Sequence, residues 1–287
     1  MTTVVALPRE SASVNVVWAF LITLGVTAVT ITAMLAVRRR APEGSYFSDG
    51  DRASGVFGVL AAGFSILLGF IIFLAFTSYD QSRTGAETEA LMITQQVETA
   101  QLFPDDTAST LTGQLICYGR SVIEDEWPRM EAGTIGDAIN PWGVAQFTTL
   151  DSLEPATAAE ESAYDQWLGQ TSAREGARLD RVHGAVGVIP TTIWIVLFFI
   201  AGVIFLFMLF FADPAEGAIT QAMLMGAVTS VIAMLFLLLA ALDNPFRGGV
   251  GGLKPVAMER TLTIVDEALD AVGLDVPIPC DETGARV

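Results

Sequence analysis

The sequence predicts an all-α integral membrane protein with four transmembrane helices in two hairpins and an inserted helical soluble bundle. Three observations predict it. The 287-residue chain is 52% hydrophobic and only 16% charged, with a mean hydropathy of +0.52, which is more apolar and less charged than an ordinary soluble domain. Its apolar residues gather into four blocks, 14–37, 53–79, 184–212 and 217–242, each free of Lys, Arg, Asp and Glu. Short polar joins separate the first block from the second and the third from the fourth. About 20 apolar residues cross a ~30 Å hydrocarbon core as a helix, and in that slab only helices and closed barrels satisfy their own backbone hydrogen bonds. The alternating segments of about 10 residues that a barrel needs are not found in these blocks.

Taken in order, residues 1–13 form an N-terminal tail. The first apolar run is too long for the core of a signal peptide, and it ends in Arg38-Arg39-Arg40 rather than a small-residue cleavage site, so it is expected to remain as an anchor. Turn formers around Ala41-Pro42-Glu43-Gly44 join it to the second block, making hairpin one over 14–79. Residues 80–183 are an acidic helical region. Ala86, Ala90, Ile93, Val97 and Ala100 recur on one helical face, which carries the second span's helix onward until Pro104. Asp105 and Asp106 open a second helix, with Leu111, Leu115, Tyr118 and Val122 at helical spacing, and Trp127-Pro128 is expected to end it. A loop containing Gly133, Gly136 and Pro141 follows. A third helix is predicted from near Pro155, with Glu160 and Glu161 suiting its positive N-terminal end, through Tyr164, Leu168, Leu179 and Val182. Three antiparallel helices are therefore expected rather than a separate catalytic fold.

Hairpin two, 184–242, turns at Asp213-Pro214-Ala215-Glu216, where proline breaks the helix. The tail, 243–287, begins Asp243-Asn244-Pro245-Phe246-Arg247-Gly248. It then carries an amphipathic helix opened by Pro255, striped by Met258, Leu262, Val265, Leu269 and Val272, and closed by Gly273. That stripe, and Phe246, are expected to pack on the soluble bundle.

Charge sets the orientation and excludes partners. The net charge is −17, and residues 80–181 hold 18 Asp/Glu against 6 Lys/Arg, which excludes nucleic acid as a partner. Lys and Arg in short loops mark the cytoplasmic side, and Arg38, Arg39, Arg40 and Arg52 flank the first turn. A multi-pass cell-membrane protein is expected, with its soluble region and tail extracytoplasmic. Cys117 and Cys280 would share that oxidising side, where a disulfide is permitted, although two distant cysteines are more often two separate thiols.

No nucleophile elbow, phosphate loop, dinucleotide fingerprint or zinc-protease helix occurs, so an enzyme, a metal site and a cofactor are not expected. The single histidine, His183, suits a helix end at the membrane interface better than a ligand site. Glu87 and Glu89 extend the second span and are candidate vestibule charges, with a solvated helix face as the bland alternative. Arg174 and Arg178, in register with Arg181, could attract anions; the competing reading is intrahelical ion pairs with headgroup contacts. In the second span Ala61, Ser65 and Gly69 recur every fourth residue with Gly55, Gly58 and Gly63 nearby, a pattern that lets helices pack closely. Phe57, Phe64, Phe70, Phe73 and Phe76 form its aromatic side. Ser65, Gly69, Phe73 and Phe76 are the pore-lining candidates, with lipid contact the commoner use of such a surface. No span carries an ionisable residue at mid-depth, which counts against proton-coupled transport.

Leu67-Leu68-Gly69-Phe70 through Tyr79, Glu89-Ala90, Tyr118, Glu126-Trp127-Pro128, Arg174, Arg178, Pro190 with Trp194, and the stretch from Asp243 to Gly248 together resemble the pattern of the bacterial bestrophin-like membrane proteins. Asn-Pro-Phe followed closely by Gly also occurs after the last span of true bestrophins. The resemblance implies a homo-oligomeric, ion-conducting protein, with the second span lining an anion pore and with lipid, further copies and small inorganic ions as partners. It does not extend to calcium, because Arg247-Gly248-Gly249-Val250-Gly251-Gly252 stands where animal bestrophins carry a run of aspartates. It also implies a cytoplasmic helical region, opposite to the orientation read from the arginines. The alternative to a channel is a non-conducting envelope protein whose bundle binds a partner. In either case the motif Asp243, Asn244, Pro245, Phe246 and Gly248 is read as structural.

Overall fold

The computed structural model describes residues 11–43, 45–134, 139–249 and 251–287. The start of the N-terminal tail, Gly44 of the first turn, Gly136 of the expected loop and Val250 lie outside the described residues. Among those described the chain is helical, with α1 Ser11–Arg38, α2 Gly50–Ala100, α3 Asp105–Ser121, a π-helical turn Val122–Glu126, α4 Trp127–Glu131, α5 Pro141–Asp151, α6 Ala158–His183, α7 Thr191–Phe210, α8 Ala218–Asp243 and α9 Val256–Val272. Among the described residues the one β-type pairing is an isolated bridge between Cys280 and Arg286. The chain divides into two compact units, the first holding Met1–Thr77, Val188–Asp243 and Gly248–Gly251, and the second Ser78–Gly187, Asn244–Arg247 and Gly252–Val287.

Among the described residues of the first unit four helices are long and apolar enough to cross a bilayer. The third begins at Thr191 rather than near residue 184, because residues 184–190 form a turn ending in Pro190, which caps α7. Large side chains make the core: Phe64, Leu68, Ile71 and Ala75 of α2 meet Leu197, Ala201 and Ile204 of α7 and Ile232 and Leu239 of α8. The expected division of α2 into a small-residue side and an aromatic side is replaced by a different one. Phe64 is buried and Phe57 half-buried, whereas Phe70, Phe73 and Phe76 are exposed together with the glycines. Helix α1 packs on α8 through hydroxyls, with Thr27 Oγ1 3.1 Å from Ser230 Oγ and Thr30 Oγ1 donating to Thr229 Oγ1 at 3.1 Å. Such bonds tie spans together where apolar burial gives no preference over lipid. Arg38 donates to the Asp213, Pro214 and Glu216 carbonyl oxygens, so one arginine of the first turn closes the turn between α7 and α8.

The second unit contains Ser78 to Ala100 of α2, then α3 to α6 and α9. Leu111, Leu115, Tyr118 and Val122 are all fully buried, as their spacing requires, in a core with Ile93, Trp127, Trp142 and Trp167. Trp127-Pro128 does not end the helix. A proline lacks an N–H and its ring crowds the carbonyl four residues back, but here the preceding turn is π-helical, with the Trp127 N–H bonding the Val122 carbonyl, so the chain continues as α4. The expected loop before residue 155 contains α5, started by Asn140, whose side chain accepts the Trp142 N–H, and by Pro141 in the first turn. α6 starts later than predicted, at Ala158, with Thr157 capping the Glu160 N–H. Gly85 lets α2 and α6 approach closely: a Cβ there would stand 2.7 Å from the Ala177 carbonyl oxygen and from the Arg181 nitrogen. In α9, Met258 and Val265 are buried, while Val272 at the end of the stripe is exposed. Gly273 closes the helix at φ 66°, a left-handed conformation that favours glycine.

Candidate ion-conduction face and buried charge network

Ser65, Gly69, Phe73 and Phe76 lie on one face of α2, since spacings of four, four and three residues keep side chains in register on a 3.6-residue helix. All are exposed in the protomer, Phe73 by 63% and Phe76 by 51%. The Ser65 hydroxyl donates to the Ala61 carbonyl oxygen at 2.9 Å, which leaves an outwardly apolar surface. Nothing stands within 4 Å of where a Cβ at Gly69 would be. Ser65 and Gly69 border a groove of about 460 Å³ closed on its other side by Val228, Val231 and Leu235 of α8.

The second unit holds the charges. Arg174, Arg178 and Arg181 share one face of α6, as their spacing predicts, but that face turns inward. Arg181, fully buried, donates from Nε and Nη2 to the two carboxylate oxygens of Glu89 at 2.5 and 3.0 Å, and from Nη2 to Glu126 Oε2 at 2.6 Å. Tyr118 completes the Glu89 carboxylate with a hydroxyl bond of 2.6 Å. Arg178 donates to Glu126 at 3.0 to 3.3 Å, and Asn140 Nδ2 donates to the same carboxylate at 3.1 Å. Arg174 donates to Gln96 Oε1 and Gln146 Oε1, both at 2.7 Å, and lies 4.5 Å from the centre of the Tyr118 ring.

These contacts correct the expected roles of Glu89 and Arg174. Both are buried, Glu89 completely, so neither presents its charge to a water-filled vestibule in the protomer. The alternative of intrahelical pairs on the arginine stripe also fails for Arg178 and Arg181, whose carboxylates come from α2 and the π-helical turn. The reason is desolvation: a guanidinium brought into a core is tolerable only against carboxylates, and only distant segments bring those there. Glu87 alone keeps a surface position, paired with Arg83 one turn earlier at 3.0 Å. Arg178 is half-buried in its pair with Glu126.

The network sets its own protonation. Burial pushes the Glu126 carboxyl up, but the Arg181 and Arg178 guanidiniums more than offset it and hold it below the ordinary carboxylate range. Burial raises the Tyr118 phenol well above its usual value, and the Glu89 charge adds to the rise. Burial opposes the charge on Arg181 and on Arg178, yet their carboxylate partners leave both more firmly protonated than a free guanidinium.

Cys117 and Cys280 are joined in a disulfide, which replaces the expectation of two separate thiols. It straps the C-terminal segment to the second unit, where the Trp142 Nε1 donates to the Gly284 carbonyl oxygen at 2.7 Å and Arg120 to that of Asp281 at 3.2 Å. In the motif after α8, the Asp243 carboxylate accepts the Ile189 N–H at 2.8 Å within the first unit. Within the second, Pro245 accepts the Leu253 N–H at 2.7 Å, and Phe246 is buried edge-on to Trp127 with ring centres 5.3 Å apart. Asn244 lies between these anchors, and Gly248 has open space where a Cβ would stand. Among the described residues no group of three or more His, Cys, Asp or Glu is arranged to hold a metal ion.

Four apolar spans with a helical bundle inserted between the second and third define a class of all-α membrane proteins. Within that class, the family model for the Bestrophin-like domain matches residues 25–251, and the chain belongs to that family. No match is found among curated proteins. Among solved structures, the chain is similar to a bacterial bestrophin homologue from Klebsiella pneumoniae, at 14% identity and a TM-score of 0.63, covering 91% of this chain and 99% of that one. A point variant of the Klebsiella pneumoniae homologue gives a TM-score of 0.64 at 13% identity, covering 88% of this chain and 98% of that one. At such identities the likeness concerns the fold.

Proposed function

We propose that the protein is a homo-oligomeric ion channel of the membrane, with the Ser65, Gly69, Phe73 and Phe76 face of α2 lining the conduction path and small inorganic anions as the conducted class. The observation that carries this reading is that face itself: it is uncharged and continuous, and the protomer leaves it uncovered. Membership of the Bestrophin-like family supports the choice of ion. Exposed phenylalanines suit a constriction that gates by dewetting, and the neighbouring small residues suit close subunit packing. Glu87, exposed and paired with Arg83, is the vestibule charge that remains. The test is halide flux into proteoliposomes together with the mass of the purified protein by light scattering. An oligomer with flux that falls in a Ser65→Trp variant is expected; a monomer without flux overturns the reading.

The soluble unit is assigned to the extracytoplasmic side. Two features support this. Disulfides persist in oxidising compartments, and Cys117 is bonded to Cys280. The turns at 39–49 and 213–217 share the other side by the parity of four spans, and the first is flanked by the arginine cluster that favours the cytoplasm. Cysteines placed at exposed Ser48 and Ser152 distinguish the orientations. An impermeant thiol reagent applied to intact cells is expected to label the Ser152→Cys protein and not the Ser48→Cys protein, and the reverse pattern overturns the assignment.

A further inference from the structure

Within the first unit a pocket of about 300 Å³ lies where α1 and α7 end and α8 begins, a size at the lower end for small-molecule sites. Met34, one turn before the Arg38 end of α1, Met208 and Phe211 around the end of α7, and Met225 of α8 make its wall apolar. Methionine side chains are unbranched and polarizable, so they adapt to aliphatic chains of varied shape. One part of the wall is polar. Gln221, in the first turn of α8 and only 8% exposed, lines the pocket and turns its Nε2 to the Asp213 carbonyl oxygen at 3.0 Å and to the Glu216 carboxylate at 3.2 Å. Both of those partners are acceptors, which fixes the amide: Nε2 must face them, and Oε1 lies on the other limb. That Oε1 is buried and accepts no hydrogen bond among the described residues.

A buried amide oxygen without a donor carries a desolvation cost that a hydrogen bond from a ligand removes. The charged groups beside it are engaged already, Arg38 by the carbonyl oxygens of the turn and the Glu216 carboxylate by Gln221 itself. What the pocket lacks is one uncharged donor next to apolar surface. We infer that it binds an uncharged membrane glycerolipid through its free hydroxyl, with the O–H donating to Gln221 Oε1 and an acyl chain lying along the methionines. An ammonium in that place gives up its water for a neutral acceptor, and an ether or ester group supplies no donor. Leu224 lines the pocket and is 62% exposed, so the pocket reaches the apolar outer surface of the protomer, where a chain arrives from the bilayer. The inference stands apart from the channel reading, because binding is measured whether or not the protein conducts.

The test is photolabelling of the full-length protein in phosphatidylcholine nanodiscs with a diazirine-bearing diacylglycerol, followed by mass spectrometry of its peptides. Saturable labelling is expected in the peptides that hold Met34 and Met225. Three competitors read the head group: dioleoylglycerol, its methyl ether, and its amino analogue, in which an ammonium replaces the hydroxyl. Dioleoylglycerol is expected to displace the label at about tenfold lower concentration than the ether, the scale of one hydrogen bond to a buried acceptor. Gln221→Leu removes that acceptor and is expected to erase the difference between the two. Leu224→Trp, at an exposed position on the rim, is expected to abolish labelling by closing the entry, whereas Met223→Trp, exposed but outside the pocket, leaves it as it was. Equal potency of dioleoylglycerol and its ether in wild type means that water alone meets Gln221 Oε1, and overturns the proposal. Stronger displacement by the amino analogue overturns it as well, as do a difference that persists in the Gln221→Leu protein and full labelling of the Leu224→Trp protein.

Discussion

Replacing Arg181 by methionine tests whether the buried network is a unit. The guanidinium is fully buried and bonds both oxygens of Glu89, which is equally buried. Methionine approximates its volume but leaves Glu89 with the Tyr118 hydroxyl as its remaining bond, whereas Glu126 keeps Arg178. The cost therefore falls on Glu89. Removing one partner of a buried ion pair costs about 3–5 kcal/mol, because the other charge stays desolvated and uncompensated. For a unit of this size that lowers the melting temperature by about 6–20 °C, at about 2–4 °C per kcal/mol. The assay is thermal unfolding of the detergent-solubilised protein followed by tryptophan fluorescence, to which buried Trp127 and Trp142 respond. One control separates charge from packing. Glu89→Gln combined with Arg181→Met removes both charges and is expected to recover most of the loss, since a buried pair and an apolar replacement are often nearly equal in stability. A single variant within about 1 kcal/mol of wild type, or a double variant no better than the single, would refute the reasoning, since surface pairs rarely exceed that value.

Other outcomes follow from the same unit. Phe246→Ala is expected to cost about 3–5 kcal/mol, the usual range for a buried aromatic ring, and to speed proteolysis of the tail; an unchanged melting temperature contradicts the packing against Trp127. Cys280→Ser opens a loop with a sequence separation of 163 residues, and is expected to cost about 2–5 kcal/mol, with a matching loss in wild type on reduction. Stability also depends on Glu126, whose folded carboxyl titrates below its unfolded value. Its contribution is present above the ordinary carboxylate range and is lost as pH falls through the lower, folded value. Glu126→Gln should therefore flatten the acid limb of the stability curve, and an unaltered limb speaks against the assigned ion pairs.

The spans, hairpins and inserted bundle were legible because the bilayer imposes a pattern that each segment shows by itself. A run of twenty apolar residues needs no partner to be read, and neither does the spacing of Leu111, Leu115, Tyr118 and Val122. The helix through Pro128 was not legible, because a π-helical turn leaves no periodic mark and proline ordinarily argues for a stop. α5 was hidden for a related reason. Its Asn140-Pro141 start was in view, but its inward face includes Gln146 beside Trp142 and Leu150, so the apolar stripe is interrupted.

The sequence by itself determined which segments enter the membrane, where the arginines fall, and that α6 carries Arg174, Arg178 and Arg181 along one face, since helical register and hydropathy are local properties. It also supplied, through Tyr118 and Glu126-Trp127-Pro128, residues of a family pattern without showing why they belong together. Only the tertiary structure decided that the arginine face points inward, that Glu89 is buried 92 residues from its partner Arg181, and that Cys117 meets Cys280 across a separation of 163. A charge on a helix reads alike whether it meets water or a carboxylate from a remote segment. The difference lies in desolvation and pairing, which arise only when the chain has folded.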